Sequence, residues 1–433
     1  MGGLIQADFI VRNIGLLATL RGPVPRLGGA LRDLGLVERA AVAAAGGRIV
    51  WCGPETDLAR AVAIAPSASV LDARGGAVVP GLVDAHTHLA FAGDRDDEIQ
   101  KRLAGVSYKE IASQGGGIVR TVAATRAATR AELATAIRGR LDEMLLQGTT
   151  TVEIKSGYGL ETAAELRSLE AIADVAATHP GGVVATFLGA HEVPVEHRQD
   201  RDRYLEILEK EMIPEVARRH LAVFADVFCE EGVFTVDESR RILVAARDHG
   251  LKLRVHADEL GATGGAELAG ELKARSADHL IFASAAGIRA LAAARCVATL
   301  LPAAAFYLRL GRFAPARAMI DDGVAVALAT DANPGGGLSP SLGFAMAAGC
   351  FGMGLCLEEA LSAATINAAF SLDVHADVGS LEPGKRADLL VLRSPRLLDL
   401  VRVGVPAIRA VVTGGQLVVR DAVRVEASGR RAS

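Results

Sequence analysis

A chain of 433 residues, half of them hydrophobic, can bury a large core, as one large domain or two to three smaller ones. The net charge of -4, with dispersed basic residues and only 4% aromatics, argues against a nucleic-acid surface. No uncharged apolar run of about 18 residues occurs, and Met1–Ala7 lacks the build of a signal peptide, so neither a membrane span nor export is expected.

The cysteines (Cys52, Cys229, Cys296, Cys350 and Cys356) are odd in number and lack CxxC spacing, which reads as reduced thiols in a cytoplasmic protein. Phe9–Leu17 is an apolar strand, Arg21–Gly35 a loop, and Val42–Val50 a hairpin broken at Gly46-Gly47. Asp57–Ala65 is predicted as a short helix capped by Asp57. Val78–Val83 reads as one buried strand that ends at His86 and His88. Residues i and i+2 of a strand share a face, so both imidazoles converge on one point, which is half of a metal site.

Beyond Gly81, strands alternate with helices, the pattern of parallel βα units. Capping boxes at Thr129/Glu132, Thr162/Glu165 and Thr235/Glu238 open three of the helices. Strands are predicted at Thr149–Ile154, Gly182–Gly189, Leu221–Phe228, Leu251–Val255, Ala277–Phe282, Cys296–Leu301 and Val324–Ala329. With the opening strand they number eight, enough to close a (β/α)8 TIM barrel. Residues 1–79 and 376–433 are short β-like runs, expected to form one discontinuous β-sandwich domain beside a barrel of residues 80–375.

Catalytic groups of such barrels come from the C-terminal strand ends. Those ends carry His86 and His88; Lys155, Ser156 and Tyr158; His191 and Glu192; Cys229 and Glu230; His256 and Glu259; His279; and Asp331 with Asn333. His86, His88, His256 and Asp331 form an N3O set suited to zinc or iron with a position left open for water. Cys229 is not expected among the ligands, because that set is already complete. His249 and His220 read as helix C-terminal residues, and His179, His197 and His375 as solvated turn residues. Gly379–Lys385 spells GxxxxGK, but Arg386 stands where a phosphate loop needs Ser or Thr. Gly115-Gly116-Gly117 reads as a flexible turn or active-site loop.

These residues resemble the amidohydrolase superfamily over nearly the whole chain. The resemblance runs through PGLVDAHTHLAFAGDR (Pro80–Arg95), SQGGGI (Ser113–Ile118), EIKSGYGL (Glu153–Leu160), FLGAHEVP (Phe187–Pro194) and HADEL (His256–Leu260). It continues through SADHL (Ser276–Leu280), ATDANPG (Ala329–Gly335) and GSLEPGKRADLLVL (Gly379–Leu392). HxH, TD and PGKRADLLVL occur across the superfamily. AGDR, KSGYGL, GAHEVP and DANPG are narrower, and resemble a branch that opens the imidazolone ring of 4-imidazolone-5-propanoate in histidine breakdown. The resemblance implies one divalent metal per chain, Zn(2+) or Fe(2+/3+), on His86, His88, His256 and Asp331. Some branches add a second metal through a lysine of the fourth strand, and Asp226-Val227-Phe228-Cys229-Glu230 offers none.

It further implies that Asp331, His279 and Glu259 are catalytic, with Glu259 also contacting the ring. Arg95, Tyr158 and His191 match positions that hold the propionate and ring, and Asn333 and Gly335 match the loop that closes over it. Gly336-Gly337 departs from the small hydroxyl residues common in relatives. The implied partner is a small-molecule substrate, and the implied assembly a homodimer. Two other functions fit the pattern less well. A deaminase or hydrolase of another nitrogen heterocycle gives Arg95 no carboxylate to grip. A catalytically inactive binding protein of the same fold has no reason to keep all four ligands.

Overall fold

The computed structural model describes residues 5–106 and 116–425. Eight parallel strands follow one another around a barrel in sequence order. They are β1 (Leu82–Asp84), β2 (Thr149–Lys155), β3 (Gly182–Ala190), β4 (Phe224–Cys229), β5 (Lys252–Ala257), β6 (Ser276–His279), β7 (Val297–Leu300) and β8 (Val326–Leu328). The ring closes just past the ends of β8 and β1, where Asp331 N donates to His86 O at 3.0 Å and His88 N to Ala332 O at 2.9 Å. Closure therefore sets two strand ends that carry candidate ligands side by side.

The helices outside the barrel follow their local signals where nothing distant competes. Arg130–Leu146 and Val236–Asp248 start at full capping boxes on Thr129 and Thr235. The first buries Leu133, Ile137, Leu141 and Leu145 at the predicted helical spacing. Thr162–Ala176 differs. Its N-cap is Glu161, without a side-chain cap bond, and Glu165 instead accepts from the backbone N–H groups of Gly157, Gly159 and Leu160. A buried carboxylate satisfies three orphan donors of the loop after β2 in place of one cap.

The end segments form a separate nine-stranded mixed sheet. Ala77–Pro80 lies at its centre, parallel to Ile5–Ala18 and antiparallel to Leu389–Leu392, and so joins the two ends of the chain. Phe9, Val11, Leu17, Val42, Val78, Leu389, Val391 and Val412 pack together on one face.

Three further local expectations are corrected here. Val78–Val83 is two strands, one in each sheet. Pro80 cannot donate to a ladder, and a Cβ on Gly81 would lie 2.1 Å from Thr150 Oγ1, so the chain bends there. The predicted helix Asp57–Ala65 shrinks to Leu58–Ala61, without a cap bond from Asp57. Val62–Asp72 is a strand beside Ile5–Ala18, and Pro66 falls in its register shift; β-branched Val62 and Ile64 favour the strand. His179 is buried rather than solvated: its Nε2 lies 3.2 Å from Asp142 Oδ1, and its Nδ1 accepts from Gly181 N.

Candidate active site and metal centre

The strand ends fix their polar side chains through backbone geometry. Asp84, buried at the end of β1, accepts from Thr330 Oγ1 at 2.6 Å and from the N–H groups of Thr330 and His86. It therefore locks β1 to the turn after β8. The strand predicted to run to Phe282 stops at His279, because φ is 71° at His279 and 59° at Leu280. Asp331 also sits at positive φ, 55°. Such values are uncommon for residues with a Cβ, and they gather at functional sites.

The structure gathers His86, His88 and Asp331 in one cluster, and His86, His256 and His279 in an overlapping one. His88 Nε2 lies 3.2 Å from His86 Nε2 and 3.3 Å from His256 Nε2. Asp331 Oδ1 is 3.5 Å from His86 Nε2 and 3.3 Å from His88 Nε2. On the far side of the rings, His86 Nδ1 meets Asp278 Oδ2 at 2.7 Å and His256 Nδ1 lies 3.0 Å from Asp226 Oδ2. Sharing its Nδ1 proton with Asp278, the His86 ring turns a bare Nε2 inward. Burial, then neighbouring positive groups, holds the His86 and His88 imidazoles well below their ordinary range, so both are neutral. Burial raises the Asp331 carboxyl, and its Oδ1 has no hydrogen-bond partner. Inward lone pairs beside an unpartnered carboxylate oxygen repel one another unless a cation joins them. The donor set fits a divalent metal.

His279 lies within reach of the same cluster, grouping with His86 and His256. Both its ring nitrogens are buried without a hydrogen-bond partner, and burial pushes its imidazole down to about 3. Glu259 Oε1 is 3.5 Å from His279 Nδ1. Burial, then Asp331 and Glu230 nearby, pushes the Glu259 carboxyl well up. Glu230 Oε2 accepts from the N–H groups of Glu259 and Leu260, which fixes the backbone that carries this acid. Cys229 is set apart: burial pushes its thiol up to about 11, away from the thiolate that metals bind.

One wall beside the cluster is aromatic. His191 stacks on His88 at 4.9 Å, and its Nδ1 lies 3.0 Å from Gly157 O. Tyr158 meets His191 edge-on at 5.1 Å and Phe91 at 6.0 Å. Arg95, 8% exposed, donates Nε to Glu98 Oε2 at 2.8 Å, and a Cβ on Gly335 would lie 2.3 Å from its Nη1. Asn333 is spent inside its own loop: Nδ2 donates to Asp331 O, and Oδ1 accepts from the N–H groups of Gly335 and Gly336. At Gly337 a Cβ would lie 1.5 Å from Asp331 O, so a hydroxyl side chain there requires the backbone to move. Of the glycine run near Arg95, Gly115 lies outside the described residues, as does the Ser113–Gly115 part of its motif. Gly117 donates its N–H to Glu98 Oε1.

Sequence reasoning missed what lies beneath the cluster. Glu153, Lys155, Asp226, Arg254 and Asp278 are all buried there in mutual ion pairs. The signal was present as charges inside apolar strands (TTTVEIK, FADVFC and KLRVHA).

A closed parallel barrel with histidines and an aspartate converging past its strand ends has the architecture and donor set of metal-dependent hydrolases. Residues 77–418 match the model of the amidohydrolase family, and the chain belongs to that family. Its relatives narrow the kinship. Imidazolonepropionase of Symbiobacterium thermophilum is 49% identical over 96% of this chain and 98% of its own length. Imidazolonepropionase of Geobacillus kaustophilus is 47% identical over 95% and 98%. Among solved structures, a zinc-bound adenosine deaminase from Xanthomonas campestris superposes with a TM-score of 0.74 at 18% identity, covering 98% of this chain and 96% of that one. Triazine hydrolase from Arthobacter aurescens gives 0.72 at 19%, covering 96% of each. These structures share the fold. No described helix is long and apolar enough to cross a membrane.

Proposed function

We propose that this chain hydrolyses the cyclic amide C–N bond of 4-imidazolone-5-propanoate to N-formimidoyl-L-glutamate, in the breakdown of histidine. The observation that carries this reading is the kinship with imidazolonepropionases across 96% of the chain. The site supports it, because it offers both a metal-type donor cluster and an arginine for a carboxylate.

We assign His86, His88, His256 and Asp331 as ligands of one divalent ion, zinc or iron, since the same donors suit both. When bound, that ion lowers the pKa of water to about 7 and polarises a carbonyl. The chain's own groups do the rest. Asp331 takes the proton of the attacking water and delivers it to the departing ring nitrogen. His279, with no competing partner, stabilises the negative charge that grows on the carbonyl oxygen. Glu259 hydrogen-bonds the ring, and Tyr158 and His191 pack against it. Asn333 shapes the loop on which Gly335 faces Arg95.

Arg95 grips the propionate. Its Nε is held by Glu98, so the two Nη groups are presented as a fixed fork, which suits a planar carboxylate better than an ammonium does. Arg95→Lys is expected to cost about 1.5–3 kcal/mol in kcat/KM, the scale of a hydrogen bond to a charged group, with metal content unchanged. A lysine variant with the parent kcat/KM removes this role.

Two statements concern the setting. The five free cysteines suit a reducing cytoplasm, which cell fractionation tests. Phe351 on Leu342–Met353 is 85% exposed and Phe306 on the neighbouring Pro302–Tyr307 is 56% exposed, a face suited to a homodimer. A monomeric mass in sedimentation equilibrium rules that assembly out.

A further inference from the structure

The buried charges under the ligand cluster meet at one atom. Lys155 Nζ, at the end of β2, lies 2.8 Å from Glu153 Oε1, 2.8 Å from Asp226 Oδ2 and 3.8 Å from Asp278 Oδ2. All four side chains are fully buried. An ammonium carries three donors and no acceptor, so it can serve three carboxylates at once.

Each of those carboxylates reaches the candidate ligands with its other contacts. Asp278 holds His86 Nδ1 at 2.7 Å. Asp226 faces His256 Nδ1 at 3.0 Å and accepts from His256 N. Glu153 Oε2 accepts from Thr87 N at 3.1 Å, on the peptide between His86 and His88. Lys155 N in turn donates to Thr87 O at 3.0 Å. Arg254 supplies a second cation, but it pairs with Asp278 at 3.0 Å and with Glu153 only at 4.0 Å, makes no pair with Asp226, and gives its other bonds to Ala85 O and Ser371. Among the described residues, Lys155 is the one cation within 4 Å of all three carboxylates.

We propose that Lys155 is a positioning residue of the metal centre: its ammonium draws Glu153, Asp226 and Asp278 together, and through them aims His86, His88 and His256 at one point. This rests on the reading of those histidines and Asp331 as ligands. Without the ammonium, three buried carboxylates with one remaining cation, Arg254, repel one another. The carboxylates move apart, and the His86 and His256 rings and the Thr87 peptide that carries His88 shift with them.

A merely structural role predicts something else. A buried ion cluster that only stabilises the barrel changes thermal unfolding and leaves the affinity of folded protein for metal alone. The test therefore reads metal binding directly. The full chain is stripped of metal and titrated with Co2+, whose visible bands report ligand geometry without any assay of activity. Lys155→Met, which keeps the apolar stem, is expected to bind Co2+ about 10–100-fold more weakly, the range for groups behind metal ligands, and to show altered bands. Parent affinity and parent bands in folded Lys155→Met overturn the proposal, whatever its melting temperature. If that variant does not fold, Asp226→Asn decides, since it cuts one link at constant size. It is expected to weaken Co2+ at least tenfold, and parent affinity in it overturns the proposal as well. His256→Ala run alongside separates the two claims. Retained Co2+ in His256→Ala defeats the ligand assignment itself. Lost Co2+ there, with unchanged Lys155→Met, defeats only the role of Lys155.

Discussion

Replacing His256 with alanine is expected to leave a folded barrel that has lost most of its metal and nearly all turnover. His256 supplies one of three inward Nε2 atoms, 3.3 Å from that of His88, and its removal takes one donor from the set. His279 groups with His86 and His256, but its left-handed backbone fixes the ring and it is assigned to the carbonyl oxygen, so it is not expected to rescue the site. The loss in kcat/KM should be three orders of magnitude or more, at least about 4 kcal/mol at roughly 1.4 kcal/mol per decade. Elemental analysis and kinetics on the same preparation check both halves. A His256→Ala protein that keeps one metal per chain contradicts the ligand assignment.

The second large effect separates the two acids nearest the chemistry. Asp331→Asn should lose metal affinity and turnover together, because the side chain is assigned as both ligand and proton carrier. Glu259→Gln should keep the metal, since its carboxyl meets His279 rather than the three Nε2 atoms. Its kcat/KM should still fall about 10²-fold or more, the lower end for a positioned proton donor or acceptor. An amide also reverses one hydrogen-bond polarity toward the ring. Metal loss in Glu259→Gln, or full activity in it, shows the roles to be wrongly divided.

The parts of this site that were legible in the sequence are those fixed by short-range geometry. His86 and His88 share a face because they are two residues apart at a strand end, and Thr129 and Thr235 cap helices with glutamates three residues on. Where a distant partner competes, the local pattern misleads. Glu165 has capping-box spacing but serves the N–H groups of the loop after β2. In the apolar run from Val78 to Val83, Pro80-Gly81 marks a break, but nothing local says that the break passes the chain from one sheet to another. His179 sits in a turn, yet that turn folds onto the helix Arg130–Leu146.

Glu153 and Lys155 are the instructive case. Alternating charges in a strand ordinarily mark a solvent face. Here they point into the barrel, where Asp226, 71 positions after Lys155, and Asp278, further still, supply the opposite charge. Only closure of the eight strands brings these residues together, so no window of sequence displays the network. Asn333 shows the complementary limit. Its motif is readable, but only the folded loop consumes both ends of its amide.

The central claim is that this donor cluster opens an imidazolone ring. The direct measurement is to reconstitute the full chain with one equivalent of zinc or iron, add freshly prepared 4-imidazolone-5-propanoate, and identify the product by mass and NMR. The expected result is N-formimidoyl-L-glutamate, formed with a turnover that chelation abolishes and metal restores. An intact ring after incubation with the metal-loaded protein, or a product formed by release of ammonia from the ring, would contradict it.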